Sequence, residues 1–281
     1  MGSETEYGNL NQIAAYVAAN VKDYYRPFAI TNGLITSEAL QRGSKSKKFT
    51  NKGNLTAYVV AESGAATRSE YTETSVTLTL QKAVVFFEPT HEADAYSDRD
   101  LMNELLGEAG LALTQKFEID ALGLINGFSQ TAGSTGVNLT VAAAKEAVYK
   151  AQLNDTPDLV SLVLHATQIN DLGDAIIASS APFFTTQGHD VTVAQTSQKA
   201  FVGNFLGTPV YRSNNVESVN TGADWAGGAF SPKAIAAIQG SSFTAMAAPD
   251  PEYSTFKMSL IMDYAVGEWD DLSGCYLVSD Q

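Results

Sequence analysis

The feature that most limits how this chain can fold is a long two-stranded pattern near its start. Leu55 to Glu62 reads as a strand and Gly64-Ala-Ala-Thr-Arg-Ser69 as a small tip. Val76, Leu78, Leu80, Val84 and Phe86 then alternate with Thr77, Thr79, Gln81 and Val85. Period two marks a strand with one apolar face. A lone two-stranded ribbon is marginal in water. This one is long for so slight a tip, so its apolar face must lie against another surface.

The rest of the chain supplies long elements in a definite order. Leu10, Ile13, Ala14, Val17, Val21 and Tyr24 fall at helical spacing, and Arg26-Pro27 ends that helix. It packs on its own core or docks as an arm on a neighbouring copy. Ser97 to Asp100 resembles an N-terminal cap, and Leu101, Leu105, Leu106, Ala109, Leu113 and Phe117 predict one helix to about Ile125. At 1.5 Å per residue it would be roughly 42 Å long. After a glycine-rich linker, Ser129 to Gly136, comes an α/β stretch. It holds a helix over 141–153 capped by Thr140, a strand buried on both faces over 159–164, and a helix over 167–179. Two short strands around a turn follow over 201–211, then one apolar element over 229–238. Phe256 to Val266 is a long alternating strand, Asp271 to Gly274 a turn and Cys275 to Val278 a closing strand. The C-terminus is expected to return to the first half, beside the long helix.

Composition narrows the function classes. There are 17 Lys and Arg against 31 Asp and Glu, a formal net charge of -14. A surface that grips duplex DNA needs clustered positive charge, which this balance opposes. Charged residues are only 17% of the chain, where about 25% is usual, and subunit interfaces are depleted in Lys, Glu and Asp. Five of the basic residues, Arg42, Lys45, Lys47, Lys48 and Lys52, crowd into eleven positions. That run is a solvated face or a contact with an acidic neighbour; nucleic acid ranks third, since no aromatic residues interleave. No leader and no apolar spanning segment is visible, so the sequence reads as soluble and intracellular, with no membrane partner.

Catalytic patterns are weak. His91, His165 and His189 lack the HExxH spacing, and there is no GxSxG elbow, P-loop or GxGxxG. Ser44 to Lys47 and Thr196 to Lys199 mimic a Ser-x-x-Lys dyad, a short pattern that lysine-rich loops produce by chance. Asp98 with Asp100, and Glu268 with Asp270 and Asp271, read as capping or solvated acids rather than cation ligands. The single Cys275 reads as a small buried hydrophobe. No catalytic, cofactor-binding or metal residue is assigned, and an α/β hydrolase using Lys199 is the least favoured class.

The order of elements resembles the major capsid protein of tailed bacteriophages, the Hong Kong 97-like fold. Phe201-Val-Gly-Asn-Phe-Leu-Gly-Thr-Pro-Val210 and Gly228-Ala-Phe-Ser-Pro-Lys-Ala-Ile235 are similar to that family's strand-turn-strand and its re-entry into the axial sheet. The resemblance implies an α+β fold with an N-terminal arm (1–41) and an extended β-hairpin loop (42–88). A peripheral domain with a spine helix (89–133 and 246–281) and an axial α/β domain (134–245) complete it. It implies a structural subunit, not an enzyme, that self-assembles into hexamers and pentamers of an icosahedral shell in the virion, built in the host cytoplasm. The shell encloses double-stranded DNA without sequence-specific binding, which an acidic lining suits.

The resemblance also implies a portal, a separate scaffolding protein, because the arm begins almost at Met1, and decoration or cement proteins. An encapsulin-like compartment shell is the alternative. Some relatives crosslink through Lys and Asn side chains. No lysine lies between Asn54 and Lys82, so that chemistry is not expected. The residues expected between subunits are Leu10, Ile13 and Val17 of the arm, Arg42, Lys45, Lys47, Lys48, Lys52 and Arg68, and Val76, Leu78 and Leu80 of the ribbon. The ribbon's outer half is expected over the adjacent subunit and its base, near Phe86, by its own long helix.

Overall fold

The computed structural model describes residues 30–41, 43–53, 55–60, 62–90, 92–93, 96, 101–153, 159–178, 200–240, 243–250 and 252–281. The expected arm helix, with Leu10, Ile13 and Val17, lies outside them. So do Arg42, the Ser97 cap, the Asp98 and Asp100 pair and Lys199.

Two sheets carry the fold. The strands are β1 (Thr36–Ala39), β2 (Ser46–Lys52), β3 (Glu73–Thr79), β4 (Gln81–Phe87), β5 (Thr131–Gly133), β6 (Ser161–Leu164) and β7 (Phe201–Phe205). They continue as β8 (Thr208–Arg212), β9 (Ser218–Val219), β10 (Asp224–Phe230), β11 (Ile235–Gln239), β12 (Thr244–Asp250), β13 (Thr255–Glu268) and β14 (Gly274–Asp280). The helices are α1 (Leu101–Gly123), α2 (Val141–Gln152) and α3 (Ala166–Ala178).

The five-stranded sheet is built around β13, whose 14 residues form its long axis. β4 pairs with one side of it, from Phe87 opposite Met258 to Gln81 opposite Tyr264. β12 and β11 follow one another along its other side, and β1 lies parallel beside β11. α1 packs on one face of this sheet. Leu106, Ala109, Leu113 and Phe117 meet Met258, Leu260, Met262 and Tyr264 in one buried cluster. Phe117 and Tyr264 pack edge to face with centroids 5.3 Å apart, and the Tyr264 hydroxyl donates to Asp120 at 2.6 Å. The helix has 23 residues, about 35 Å, and a 3-10 turn over Leu124–Gly127 continues it. No helix among the described residues is long and apolar enough to cross a membrane.

The seven-stranded sheet runs β5-β14-β10-β6-β8-β7, with β9 beside β10. All four residues of β6 are buried, as the unbroken apolar run predicts. α2 begins where Thr140 accepts a hydrogen bond from the Ala143 N–H. β7 and β8 join through Leu206 and Gly207, both in the left-handed region, the geometry of a two-residue hairpin whose twist matches its strands. Leu139, Ala144, Ala147, Leu162, Leu172, Phe205, Val210, Cys275 and Leu277 lie in the core of this sheet.

Four expectations need correction. The strand opposite β3 is β2, in the basic segment, and not Leu55 to Glu62; residues 55–60 are irregular and exposed. The reason is side-chain pairing: Phe49 stands opposite Val76 and Lys47 opposite Leu78, so the apolar face of β3 finds its partner there. The long alternating strand breaks at Leu80. Before the break Leu78 faces the core; after it Ala83, Val85 and Phe87 do, and Val84 and Phe86 are exposed. The linker at 129–136 contains β5, parallel to β14. The apolar stretch at 229–238 is two strands in two sheets, β10 and β11. Likewise β13 joins the sheet of the long helix, while β14 joins the other.

Candidate functional site

The ribbon and the sheet face beneath it are where unpaired surface concentrates. β2 and β3 form a ladder from Ser46 opposite Thr79 to Lys52 opposite Glu73, closed by Gly53 N–H donating to the Thr72 carbonyl at 2.9 Å. One face of this ladder is apolar and lies on the face of the five-stranded sheet opposite α1. Phe49 and Leu78 are buried there with Ala236, Ile238 and Ala265, flanked by Leu40, Val76, Leu80 and Trp269. Phe49 and Trp269 have ring centroids 5.5 Å apart. A methyl group on Gly267 would overlap Leu78, so glycine is what lets the ribbon lie so close.

That same sheet face continues past the ribbon and is bare. On β13, Lys257, Ser259, Ile261, Asp263, Ala265 and Gly267 point one way by alternation. Phe86 and Met246 flank Ser259, and Val84 flanks Ile261. Phe86 is 58% exposed, Met246 57% and Val84 47%. One half of the face is covered by the chain's own ribbon; the other half presents the exposed Val84, Phe86 and Met246 around a buried Ile261, with Lys257 and Asp263 at its edges.

The tip beyond Gly53 and Thr72 is a second open apolar surface. Leu55, Tyr58, Val59, Val60 and Tyr71 are all exposed. Among the tip's described residues, Thr56 N–H donates across the strands to Ser69 Oγ at 2.9 Å. β4 and β3 together track β13, with Phe86 opposite Ser259, Gln81 opposite Tyr264 and Leu78 against Gly267. The tip therefore leaves one end of the sheet while Phe86 stands toward the other. At about 3.3 Å per residue, β3 alone puts roughly 20 Å between the Leu78 anchor and the tip.

The expected interface residues divide accordingly. Leu78 is 6% exposed and spent on its own chain, so the expectation that it meets a neighbour is replaced by the open residues above. Val76 and Leu80 are partly buried against the same cluster. Lys47 pairs with Glu38 of β1 and lies 5.5 Å over the Phe49 ring, again within the chain. Lys45, Lys48, Lys52 and Arg68 are exposed. Lys48 and Lys52 share the outer ribbon face with Ser46, Thr50, Glu73, Ser75, Thr77 and Thr79, Glu73 standing opposite Lys52. Sequence reasoning missed Phe49, Trp269, Met246 and the tip's apolar residues. The Tyr58-Val-Val60 run is the available signal, and by pattern alone it reads as a strand.

The remaining chemistry is structural. His165 stacks on Trp225 with centroids 3.6 Å apart and bonds Thr167, and burial lowers its pKa. Cys275 is buried, which pushes its thiol up to about 11. Asp270 bonds Ser273 and pairs with Lys233, and Asp271 accepts from the Ser129 N–H at 2.7 Å. Burial first, then Asp271 and Asp270, raises the Glu268 carboxyl. No three His, Cys, Asp or Glu side chains among the described residues are grouped to hold a metal.

Comparison with known proteins decides the family. The model of the family described as phage capsid protein matches residues 72–276, well over half of the chain. This chain belongs to the phage capsid protein family. It is a structural shell protein of the virion, not an enzyme. Among solved structures, the capsid of cyanophage P-SCSP1u is similar at TM-score 0.65 and 13% identity, covering 90% of this chain and 89% of that one. A structure from Mycobacterium phage Che8 gives 0.59 and 16%, over 83% and 84%. The SrpI encapsulin of Synechococcus elongatus gives 0.64 and 11%, over 88% and 85%. At these identities the likeness is one of fold, and the fold is the mixed α/β capsid fold expected. No curated protein matches the chain. The family match begins at residue 72, so the basic strand and most of the tip lie ahead of it.

Proposed function

We propose that this capsid protein closes its shell by laying the ribbon tip of one subunit on the bare half-sheet of the next. The observation that carries this reading is the pair of open apolar surfaces at opposite ends of one sheet: the tip with Tyr58, Val59 and Val60, and the face with Val84, Phe86 and Met246. Neither can serve the other within one copy. Such a contact is heterologous, the same two patches meeting head to tail, and it closes into rings by rotation. Fully covering a side chain such as Phe86 or Met246 contributes about 1.5–3 kcal/mol.

In this reading α1 is the family's spine helix and the ribbon its extended loop. The rings are the hexamers and pentamers of an icosahedral shell around double-stranded DNA. The arm ahead of residue 30 supplies further contacts between subunits, while β1, within its expected 1–41 span, belongs to the chain's own sheet; the basic residues Lys45, Lys48, Lys52 and Arg68 contact acidic neighbours. A portal, a scaffolding protein and decoration proteins are the partners the resemblance implies. The encapsulin likeness supports a second reading, a compartment shell holding protein cargo. The family match favours the phage reading over it. Negative-stain microscopy of the purified protein should show uniform closed polyhedra. An indefinitely monomeric protein would sink the shell reading, and particles filled with folded enzyme would move it to the compartment.

A further inference from the structure

Three carboxylates are buried among the described residues: Glu118, Asp224 and Asp270. Asp270 meets Lys233 at 3.2 Å. Asp224 accepts from the Gly136 N–H at 2.8 Å and the Asn220 amide at 2.9 Å, donors suited to an ionised acid. Glu118 is different. It sits in the middle of α1, 2% exposed, in no ion pair with any described residue. The Ser213 hydroxyl donates to it, 2.7 Å from Oε1, and the Asn215 side chain bonds it as well. A hydroxyl can rotate to serve either the neutral or the charged acid.

The place of this contact matters. α1 packs on the five-stranded sheet, while Ser213 follows β8 of the seven-stranded sheet, and its N–H donates to the Leu164 carbonyl of β6 at 3.0 Å. The Asn215 N–H donates to Ser213 Oγ at 3.1 Å, and Gln115 of α1 donates to Asn215 Oδ1 at 3.3 Å. The loop at 213–216 is thus held to the long helix by one small polar network. Beside it runs an open groove of about 550 Å³ lined by Gln115, Ile119, Asn215, Glu217 and Trp225 among others, which brings water to the edge of the network.

We propose that Glu118 is a proton-operated latch between the long helix and the seven-stranded sheet. As a neutral acid it holds the 213–216 loop on α1. Ionised, it releases its proton to solvent, draws water from the groove and frees the loop. The surrounding charges do not hold the anion in place. On α1, Lys116 and Asp120 pair with each other at 2.6 Å. From β8, Arg212 is exposed, and burial keeps the Tyr211 phenol neutral by raising its pKa. Past β6, burial lowers the pKa of His165 and so favours its neutral form, and Glu217 beyond the loop is exposed and of the same sign. Burial accordingly raises the Glu118 carboxyl, more than its bonds from Ser213 and Asn215 lower it. A raised carboxyl pKa means that the folded protein holds the proton more tightly than the unfolded chain. The latch's stabilisation is full below the unfolded value and lost as pH rises through the folded one.

The test is hydrogen exchange on the purified full-length subunit across pH 5 to 8, corrected for intrinsic amide chemistry. The Asn215 amide and its neighbours should lose protection by up to about tenfold per pH unit between the unfolded and the folded pKa, and level off above the folded one. Glu118→Gln, fixed in the neutral form, should keep the loop protected throughout. Identical pH profiles in both proteins, or a wild-type loop fully protected at pH 8, would overturn the latch. Should the glutamine variant fail to fold, Ser213→Ala removes the partner instead. It should show the high-pH exchange rate at every pH, and a retained wild-type profile counts against the proposal. Measured on free subunits, the outcome is independent of whether shells form.

Discussion

The two ends of the ribbon are built from similar residue types and do opposite things. At the base, Phe49 and Leu78 are buried against Ala236, Ile238 and Ala265 of the same chain. At the tip, Leu55, Tyr58, Val59, Val60 and Tyr71 cover nothing. The base has the sheet beneath it, with Gly267 leaving room; the tip has run past the sheet's end. An apolar stripe on a ribbon therefore says that a surface is needed, not whose surface it is. Base residues should govern folding and tip residues assembly.

The largest expected effect comes from breaking the base. Leu78→Asp places a charge among Phe49, Ile238 and Ala265, opposite a Lys47 already paired with Glu38, at a cost of several kcal/mol. The subunit itself should lose its cooperative unfolding transition or melt far lower in a thermal scan. A folded but assembly-defective Leu78→Asp protein would move the boundary between base and tip inward, to include β3.

Much of the architecture was readable because single elements carried complete local signals. Thr140 announced α2, the unbroken run in β6 announced burial on both faces, and Leu206-Gly207 announced a hairpin. What was not readable depended on pairing across the chain. β2 hides Phe49 among three lysines, so its segment reads as a charge run and not a strand. The break at Leu80 leaves the period intact over 76–86 while turning it over, and only pairing with β13 shows the turn. The bare half-sheet has the same origin: Val84, Phe86 and Met246 are brought together by register from strands roughly 160 positions apart, and no local pattern joins them.

The next effect is loss of assembly without loss of fold. Replacing 55–70 by a short Gly-Ser connection removes the exposed tip but leaves the ladder from Ser46 to Lys52 intact. The subunit's melting should change by less than about 1 kcal/mol of stability, as for surface changes generally. Particles should vanish from sedimentation profiles. Phe86→Asp should do the same from the receiving side, since its ring is 58% exposed in the free chain. Because tip and face are complementary patches, mixing the two variants should not restore rings: each position in a head-to-tail ring needs both patches. Rings formed by Phe86→Asp alone would show that the tip docks elsewhere.

The smallest effect concerns the basic strand, and it separates the ribbon's two faces from each other. Lys47 points inward, to Glu38 and Phe49, whereas Lys48 and Lys52 point outward, Lys48 among hydroxyls and Lys52 opposite Glu73. If the outer face meets an acidic neighbour, each contact is worth roughly 0.2–1 kcal/mol but recurs at every copy in the shell. Such attraction is screened by salt, over about 10 Å at 0.1 M. Wild-type particles should then loosen as salt rises. Lys48→Glu with Lys52→Glu turns attraction into repulsion, so that variant should assemble poorly at low salt and improve as salt screens it, a reversal of sign. Lys47→Glu is the control: it breaks a contact inside one chain, so it should lower the subunit's melting slightly and leave the direction of the salt response unchanged. Equal salt responses in all three proteins would make the outer lysines a solvated face. The tip and the bare half-sheet would then carry the contact between ribbon and neighbour by apolar area.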